Sequence, residues 1–391
     1  MGIKNLKNIL TSKCTNAIVQ RKLNSYNGYI IGIDLSIFLY KYLYNNNDHI
    51  EGLTRLILRL LKNNIQPVFV FDGKPPKEKQ ETLLERKQKR EFLFMKKDIL
   101  HMIKKKKENY PNININKEII KEINEYINKT NINFKLSDEN MELYLSDICN
   151  YNEEIEKIEK KIIIIKSHHI ENAKNLFNYF GISYIHAPCE AESLLAVLCK
   201  RNIIDCCITE DMDILANGCN IFLKNFSSDK NIVDEYCLEG ILENLELTYN
   251  EFVDLCILCG CDYTSKIYGI GHVNAYKLIK KHKNIENILE SIKDTSKFKV
   301  PDDFDYVNAR KLFNNPFDFE DIKVHFNDLK MNKPDKNELL KFLENTKLHK
   351  KYFDEIDKNL MNYYLNIDIA RSFDKQEKKQ EKITNYFSTS I

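Results

Sequence analysis

Four short apolar runs in this chain are each followed, at once or within a few residues, by acid. Tyr29-Ile30-Ile31-Gly32-Ile33 meets Asp34, and Val68-Phe69-Val70-Phe71 meets Asp72. Ile182-Ser183-Tyr184-Ile185 is followed, around Pro188, by Glu190 and Glu192. The run from Ile203 to Thr209 closes on Asp211 and Asp213. Runs rich in β-branched and aromatic residues read as strands. Their near-continuous apolar character fits burial on both faces. Helical patterns lie between them. Leu53, Leu56, Ile57 and Leu60 recur at i, i+3, i+4, i+7 within about 52–61, and a second pattern over 167–180 is ended by Gly181. Strand–helix alternation predicts an α/β fold: a mostly parallel, twisted sheet flanked by helices.

That fold gives the acids a common address. In open parallel sheets, ligands bind outside the carboxyl ends of the strands. Acids scattered through the chain are therefore expected to converge there. Asp262, in Cys259-Gly260-Cys261-Asp262-Tyr263 after the apolar helical run Phe252 to Cys259, is a further candidate. The i, i+2 spacing of Asp211 and Asp213 puts both on one side of an extended segment. Glu190 and Glu192 share it, and would do the same at the first turn of a helix. Seven carboxylates in one pocket raise one another's pKa unless counter-charge is bound. Hard oxygen donors suit Mg²⁺, with Mn²⁺ as a substitute, far better than zinc or copper. Two such cations about 3.5–4 Å apart are the usual arrangement for in-line phosphoryl displacement. Any single acid reads as a helix cap or surface charge; the set, placed repeatedly at strand ends, reads as a metal site.

Charge elsewhere is unevenly distributed. The whole chain carries only +2, yet residues 74–107 hold thirteen Lys/Arg against five Asp/Glu, a local +8 in a long helical pattern beginning just after Asp72. A charge run is usually a solvated face; beside an acidic pocket it is also what would bring nucleic-acid phosphates to carboxylates. Lys79 and Arg86, seven apart, would lie two turns along one helical face. Further on, Ile267-Tyr268-Gly269-Ile270-Gly271-His272 precedes a helical stretch to His282. It reads either as a tight interhelical turn or as backbone N–H groups exposed to a phosphate at a helix N-terminus.

Other classes are set aside. No apolar run approaches the 18 residues of a membrane span. Eleven cysteines with no apolar leader point to reduced thiols. Cys256, Cys259 and Cys261 form a close group but lack the second pair that a zinc site needs, and read as buried helix residues. Residues 108–160, rich in Asn, Ile, Lys and Glu, read as an insertion, helical in places.

Several segments, in this order, resemble the flap endonucleases of the structure-specific 5′ nuclease superfamily, the XPG/Rad2 family. They are Met1-Gly2-Ile3; Asp34; Val70-Phe71-Asp72-Gly73-Lys74-Pro75-Pro76; Ala187-Pro188-Cys189-Glu190-Ala191-Glu192; Thr209-Glu210-Asp211-Met212-Asp213; Phe252-Val253-Asp254-Leu255-Cys256-Ile257; and Gly260-Cys261-Asp262-Tyr263 with Gly269-Ile270-Gly271. The resemblance covers roughly 1–100 and 165–350, plus the tail. It implies a PIN-like α/β nuclease fold with two Mg²⁺ ions, a helical arch that threads a 5′ flap, and a helix-two-turn-helix that holds duplex DNA with a K⁺ ion. Asp34, Asp72, Glu190, Glu192, Asp211, Asp213 and Asp262 become metal-site carboxylates. Lys79 and Arg86 become arch residues on the scissile phosphate, and Tyr40 the aromatic that stacks on the neighbouring base. Gly269, Gly271 and Arg90 become DNA-binding residues.

The tail Gln380-Glu381-Lys382-Ile383-Thr384-Asn385-Tyr386-Phe387 is similar to the motif that docks on the sliding clamp, proliferating cell nuclear antigen. Gln380, Ile383, Tyr386 and Phe387 would be its clamp-binding residues, the last three an apolar plug. The implied layout is a nuclease core over 1–370 and a clamp-binding tail over 371–391. Within the core lie an N-terminal region to about 107, the insertion at about 108–160, and an internal region over about 161–280. The connection between Tyr40 and Gly52 is shorter than in typical members. The implied activity is Mg²⁺-dependent 5′-flap cleavage with 5′–3′ exonuclease activity, leaving 5′-phosphates, in replication (Okazaki fragment maturation) and repair. The chain is expected to act as a monomer in the nucleus, away from membranes. A related 5′–3′ exonuclease or junction resolvase, or a non-cleaving, clamp-recruited DNA-binding scaffold, are the alternatives.

Overall fold

The structure, a computed structural model, describes residues 2–45, 48–109, 117–129, 150–226, 231–293, 295–314, 316–317, 329–344, 346 and 352–356. The described chain divides into two compact units. The first comprises residues 1–39, 48–75 and 167–391, and the second residues 40–47 and 76–166.

The first unit is built on seven strands: β1 (Ile18–Lys22), β2 (Ile30–Asp34), β3 (Gln66–Phe71), β4 (Tyr184–His186), β5 (Cys206–Ile208), β6 (Ile221–Lys224) and β7 (Ile232–Cys237). Their order across the sheet is β1-β7-β6-β5-β2-β3-β4. Strands β2 to β6 run parallel, while β7 pairs antiparallel with both β6 and β1. The four sequence-predicted strands are present; β2, β4 and β5 start later than the apolar runs suggest, and β3 starts earlier, at Gln66. β1, β6 and β7 come in addition. β1 reads Ile-Val-Gln-Arg-Lys and lies at the sheet edge, largely exposed; charges there discourage edge-to-edge pairing.

β2 is buried along its whole length. It lies between β3 and β5, so the chain leaves it toward β3 on one side and returns to β5 on the other. This is the topological switch point at which open α/β sheets form ligand crevices. Register fixes the heights: Asp34 pairs with Val70, Ile33 with Ile208, and Phe71 with His186. The carboxyl ends of β2, β3, β4 and β5 therefore lie level.

The helices are set by local chemistry. His49–Lys62 starts on Asp48, whose carboxylate accepts from the Ile50 N–H, and it buries one apolar face. Ser167–Phe180 forms over the predicted span. Tyr249–Cys259 opens with a capping box, Thr248 accepting from Glu251 N–H and Glu251 returning the contact. Ala191–Lys200 packs on β2, β3 and β5, and its Leu194, Leu195 and Leu198 enter the central core. No helix among the described residues is long and apolar enough to cross a membrane.

The second unit is helical. Gln80–Asn109 packs with Lys117–Lys129 and Tyr151–Lys161 around Met95, Ile99, Leu100, Ile103, Ile123 and Ile158. The insertion thus gives the far half of the basic helix a core of its own. It also answers that half's charge: Lys96 pairs with Glu154 at 3.8 Å, Lys97 with Glu159 at 3.5 Å, and Lys106 with Glu122. The basic run therefore does not act as one continuous cationic face.

Candidate metal centre and nucleic-acid elements

Six of the seven predicted acids are held along the carboxyl edge of β2 to β5. Asp34 is the last residue of β2 and only 2% exposed. One of its oxygens accepts from Ser36 N–H at 3.1 Å and the other from the Thr209 hydroxyl at 3.3 Å. Asp72, one residue past β3, accepts from Ala191 N–H at 2.9 Å and from the Ser36 hydroxyl. Ala191 opens the helix whose N-cap is Glu190 and whose first turn holds Glu192. The helix start thus faces the acids, where its dipole favours negative charge.

Asp211 and Asp213 follow β5 through Thr209. Asp211 N–H donates to the Thr209 hydroxyl at 3.1 Å, and Asp213 N–H donates to Asp211 Oδ1 at 3.1 Å. Asp213 also accepts from Ile3 N–H at 2.7 Å. Gly2 lies against both: a Cβ there would stand 2.0 Å from Asp211 Oδ1 and 2.5 Å from Asp213 Oδ1, and its φ is +81°. Only glycine fits on both counts. Asp262 follows the helix Tyr249–Cys259. It lies between Cys261, whose buried thiol feels both Asp213 and Asp262, and Tyr263, whose hydroxyl donates to Glu190 Oε2 at 2.6 Å.

The electrostatics match this crowding. Burial, with Asp72 and Asp211 adding to it, pushes the Asp34 carboxyl up to about 8. Burial and then Asp34, Asp211, Asp72 and Glu190 push Glu192 well above the usual carboxylate range. Acids this reluctant to ionise are what bound cations would relieve. Every donor is a hard carboxylate oxygen, which fits Mg²⁺ or Mn²⁺. Among the described residues, no three of these acids offer one oxygen each within 4.8 Å of one another. Such a spread nest suits Mg²⁺, which usually keeps several waters and takes only one or two carboxylates. Residue chemistry and charge therefore fit the divalent centre.

Sequence reasoning missed the supports: Gly2, Ile3, Ser36, Thr209 and Tyr263. The segment Met1-Gly2-Ile3 signals the resemblance without revealing that it lies on two of the acids.

The glycine turn separates into two roles. Gly269 has φ +86°, and a Cβ would stand 2.7 Å from the Lys297 carbonyl; it is required for packing. Gly271 is the N-cap of His272–His282 and has nothing within 4 Å of its would-be Cβ. Residues 266–271 line an open cavity of about 390 Å³, with Tyr268 projecting at its rim, 78% exposed.

Lys79, Arg86, Arg90 and Tyr40 belong to the second unit. Lys79 ends a short 3₁₀ turn, Lys77–Lys79, so it precedes the helix Gln80–Asn109 instead of riding on it. Arg86 and Arg90 are on that helix at i, i+4, a common face. Tyr40 is 42% exposed on the helix Leu35–Tyr44. Gln380, Ile383, Tyr386 and Phe387 lie outside the described residues.

Comparison with known proteins fits this architecture. Residues 1–92 match the XPG N-terminal domain and residues 181–262 the XPG I-region. Flap endonuclease 1-A of Oryza sativa subsp. japonica is 33% identical over 361 residues, spanning 88% of this chain and 82% of that protein. The chain belongs to the flap endonuclease family. Flap endonuclease 1 of Aedes aegypti shows 33% identity at the same coverage. Among solved structures, the catalytic core of Rad2 in complex with DNA substrate superposes with a TM-score of 0.64 at 23% identity, over 92% of this chain and all of that one. A Holliday junction-resolving enzyme in complex with product DNA, Mg²⁺ and Mn²⁺ ions superposes at 0.56 with 16% identity, over 91% of this chain and 76% of that one. These likenesses bear out the α/β fold read from strand–helix alternation. Flap endonucleases and their XPG/Rad2 relatives are metal-dependent nucleases, which the acidic nest of this chain matches.

Proposed function

We infer that this protein is a metal-dependent, structure-specific 5′-flap endonuclease acting in DNA replication and repair, with 5′–3′ exonuclease activity. One observation carries the reading: Asp34, Asp72, Glu190, Glu192, Asp211 and Asp213 meet at the carboxyl edge of β2 to β5, on both sides of the switch point. Two Mg²⁺ ions are the cofactors, with Mn²⁺ as a substitute; such ions lower the pKa of water and offset charge developing on a phosphodiester. The carboxylates supply their ligands. Thr209 and Ser36 hold Asp34 and Asp72 in place, Tyr263 turns Glu190, and the Ile3 N–H fixes Asp213. Such preorganisation means that little has to move when charge develops.

The remaining roles rest on the family resemblance and on residue chemistry. Lys79 and Arg86 engage the scissile phosphate, and Tyr40 stacks on the adjacent base. Arg90 binds the DNA backbone. The open start of His272–His282, with Gly269 and Gly271, holds the downstream duplex together with K⁺. Gln380, Ile383, Tyr386 and Phe387 dock on the sliding clamp, which makes the nucleus the site of action and Okazaki fragment maturation the main task. The enzyme works as a monomer on DNA bearing a 5′ flap.

The test uses labelled 5′-flap, nicked and four-way-junction DNA, with Mg²⁺ or with chelator. The expected result is Mg²⁺-dependent cleavage of the flap near its junction, leaving 5′-phosphates. Preferential cleavage of the four-way junction would make it a resolvase. Binding without Mg²⁺-dependent cleavage of any substrate would make it a scaffold.

A further inference from the structure

The sequence draws attention to Cys256, Cys259 and Cys261. All three are buried, but they do not gather into a set of ligands. Three other cysteines do. The sulfurs of Cys199, Cys207 and Cys219 all lie within 4.8 Å of one another, with Cys199 to Cys207 at 4.0 Å and Cys207 to Cys219 at 3.1 Å. No other group of three His, Cys, Asp or Glu donors among the described residues meets that spacing, and no fourth donor joins this one. Cys199 is near the end of the helix Ala191–Lys200, Cys207 is in the middle of β5, and Cys219 is in the loop before β6. All three are buried. Lys200 adds positive charge at the edge: its ammonium lies against Gly218, next to Cys219.

Thiols acting only as small apolar groups can pack against any hydrocarbon and have no need to find one another. Three that converge offer a ligand set. Sulfurs about 2.3 Å from a shared ion stand ~4 Å apart in a trigonal plane; Cys199 and Cys207 already have that separation, while Cys207 and Cys219, at 3.1 Å, would open by about 0.9 Å on binding. Structural zinc takes four ligands in a tetrahedron, and the set stops at three. Soft thiolates select Cu(I), zinc or iron–sulfur clusters; zinc sites and clusters call for four ligands, which leaves Cu(I) for a set of three sulfurs. We propose that Cys199, Cys207 and Cys219 form a buried, three-coordinate site for Cu(I). Binding expels the thiol protons to solvent and replaces them with one ion, with no change of oxidation state. The ion would tie together a helix, a strand and a loop that also carry Glu190, Glu192, Asp211 and Asp213. It would act as a clip behind the acidic nest.

The full-length, reduced protein is titrated anaerobically with Cu(I) in competition with a chromophoric Cu(I) chelator. Wild type should withdraw one equivalent, X-ray absorption should show three sulfur neighbours, and the thermal midpoint should rise. Cys219→Ser and Cys199→Ala should each lose more affinity than the ~10–100-fold typical of an outer-shell partner. Circular dichroism and Mg²⁺-dependent DNA cleavage of both variants serve as controls for folding. Unchanged uptake in two folded variants would overturn the site, as would a wild type that takes none from the chelator. Tight zinc binding with four ligands would overturn the three-coordinate assignment. None of these outcomes bears on the nuclease reading, which the flap assay decides separately.

Discussion

Asp213 is held by the N–H of a residue 210 positions away, whereas Lys87 and Lys89 are met by glutamates four residues along the same helix. The first unit assembles its charge by long-range contacts into buried, oriented carboxylates. The second displays its charge along one long helix and answers it with acids of the same helix and of the insertion packed on its far half. A buried like-charged cluster is costly and has to be offset by something specific, while an exposed cationic face gains or loses little with each pair. The two regions should therefore respond differently to substitution: steeply and all-or-none in the nest, gradually and with salt dependence on the helix.

The sharpest way to break this contrast is Asp211→Ala. Cleavage of a 5′-flap substrate in Mg²⁺ should fall by at least ~10²–10³-fold, with flap affinity in chelator unchanged. Retained cleavage would show that the nest is not the catalytic centre. Next in size are Lys79→Ala and Arg86→Ala. Each should cut single-turnover cleavage by ~10²-fold if it orients a phosphate, comparable to losing one preorganised donor. Each should also lower the salt slope of DNA binding by about one phosphate contact. In contrast, Lys97→Ala, whose ammonium faces Glu159 of the insertion, should leave both nearly unchanged. Equal effects at positions 86 and 97 would remove the distinction between the near and far halves of the helix.

The glycine turn allows a smaller test of the same kind. Gly269→Ala places a Cβ against the Lys297 carbonyl at positive φ and should cost roughly 1–2 kcal/mol in stability, read by denaturant unfolding. Gly271→Ala meets nothing and should leave stability unaltered. If the backbone of Gly271 meets a phosphate, duplex affinity should fall in that variant while its stability is unchanged.

Much of this architecture is legible in the sequence because the central strands are apolar on both faces and end in acid, so fold and site share one pattern. The helix Ser167–Phe180 is readable to the residue for a similar reason: its period is clean and Gly181 ends it. Legibility fails where meaning depends on a distant partner. β1 pairs with β7 across more than 200 residues and carries polar side chains typical of an edge. Tyr263 reads as a core aromatic until its hydroxyl is seen on Glu190, 73 residues earlier. Cys199, Cys207 and Cys219 have no motif spacing; only the packing of a helix on β5 brings them together.

The last test concerns the charge of the nest itself. The folded Asp34 carboxyl titrates at about 8, against about 3.8 when free, because burial and the neighbouring acids favour its neutral form. The folded state thus binds this proton more tightly than the unfolded one. Its stabilising contribution is complete below about 3.8 and is lost as pH rises through about 8. In metal-free protein, Asp34→Asn substitutes a permanently neutral group. The variant should therefore melt higher than wild type at pH 8.5, by about 2–4 °C for each kcal/mol relieved, and the gap should narrow steadily as pH falls and close only below about 3.8. Adding Mg²⁺ at pH 8.5 should reverse the order, since the ion stabilises the ionised wild-type nest and finds a weaker ligand in the amide. A difference in melting temperature independent of both pH and Mg²⁺ would mean that Asp34 acts through its packing and not its charge. The contrast between a nest under electrostatic load and a helix under none would then have to be drawn again.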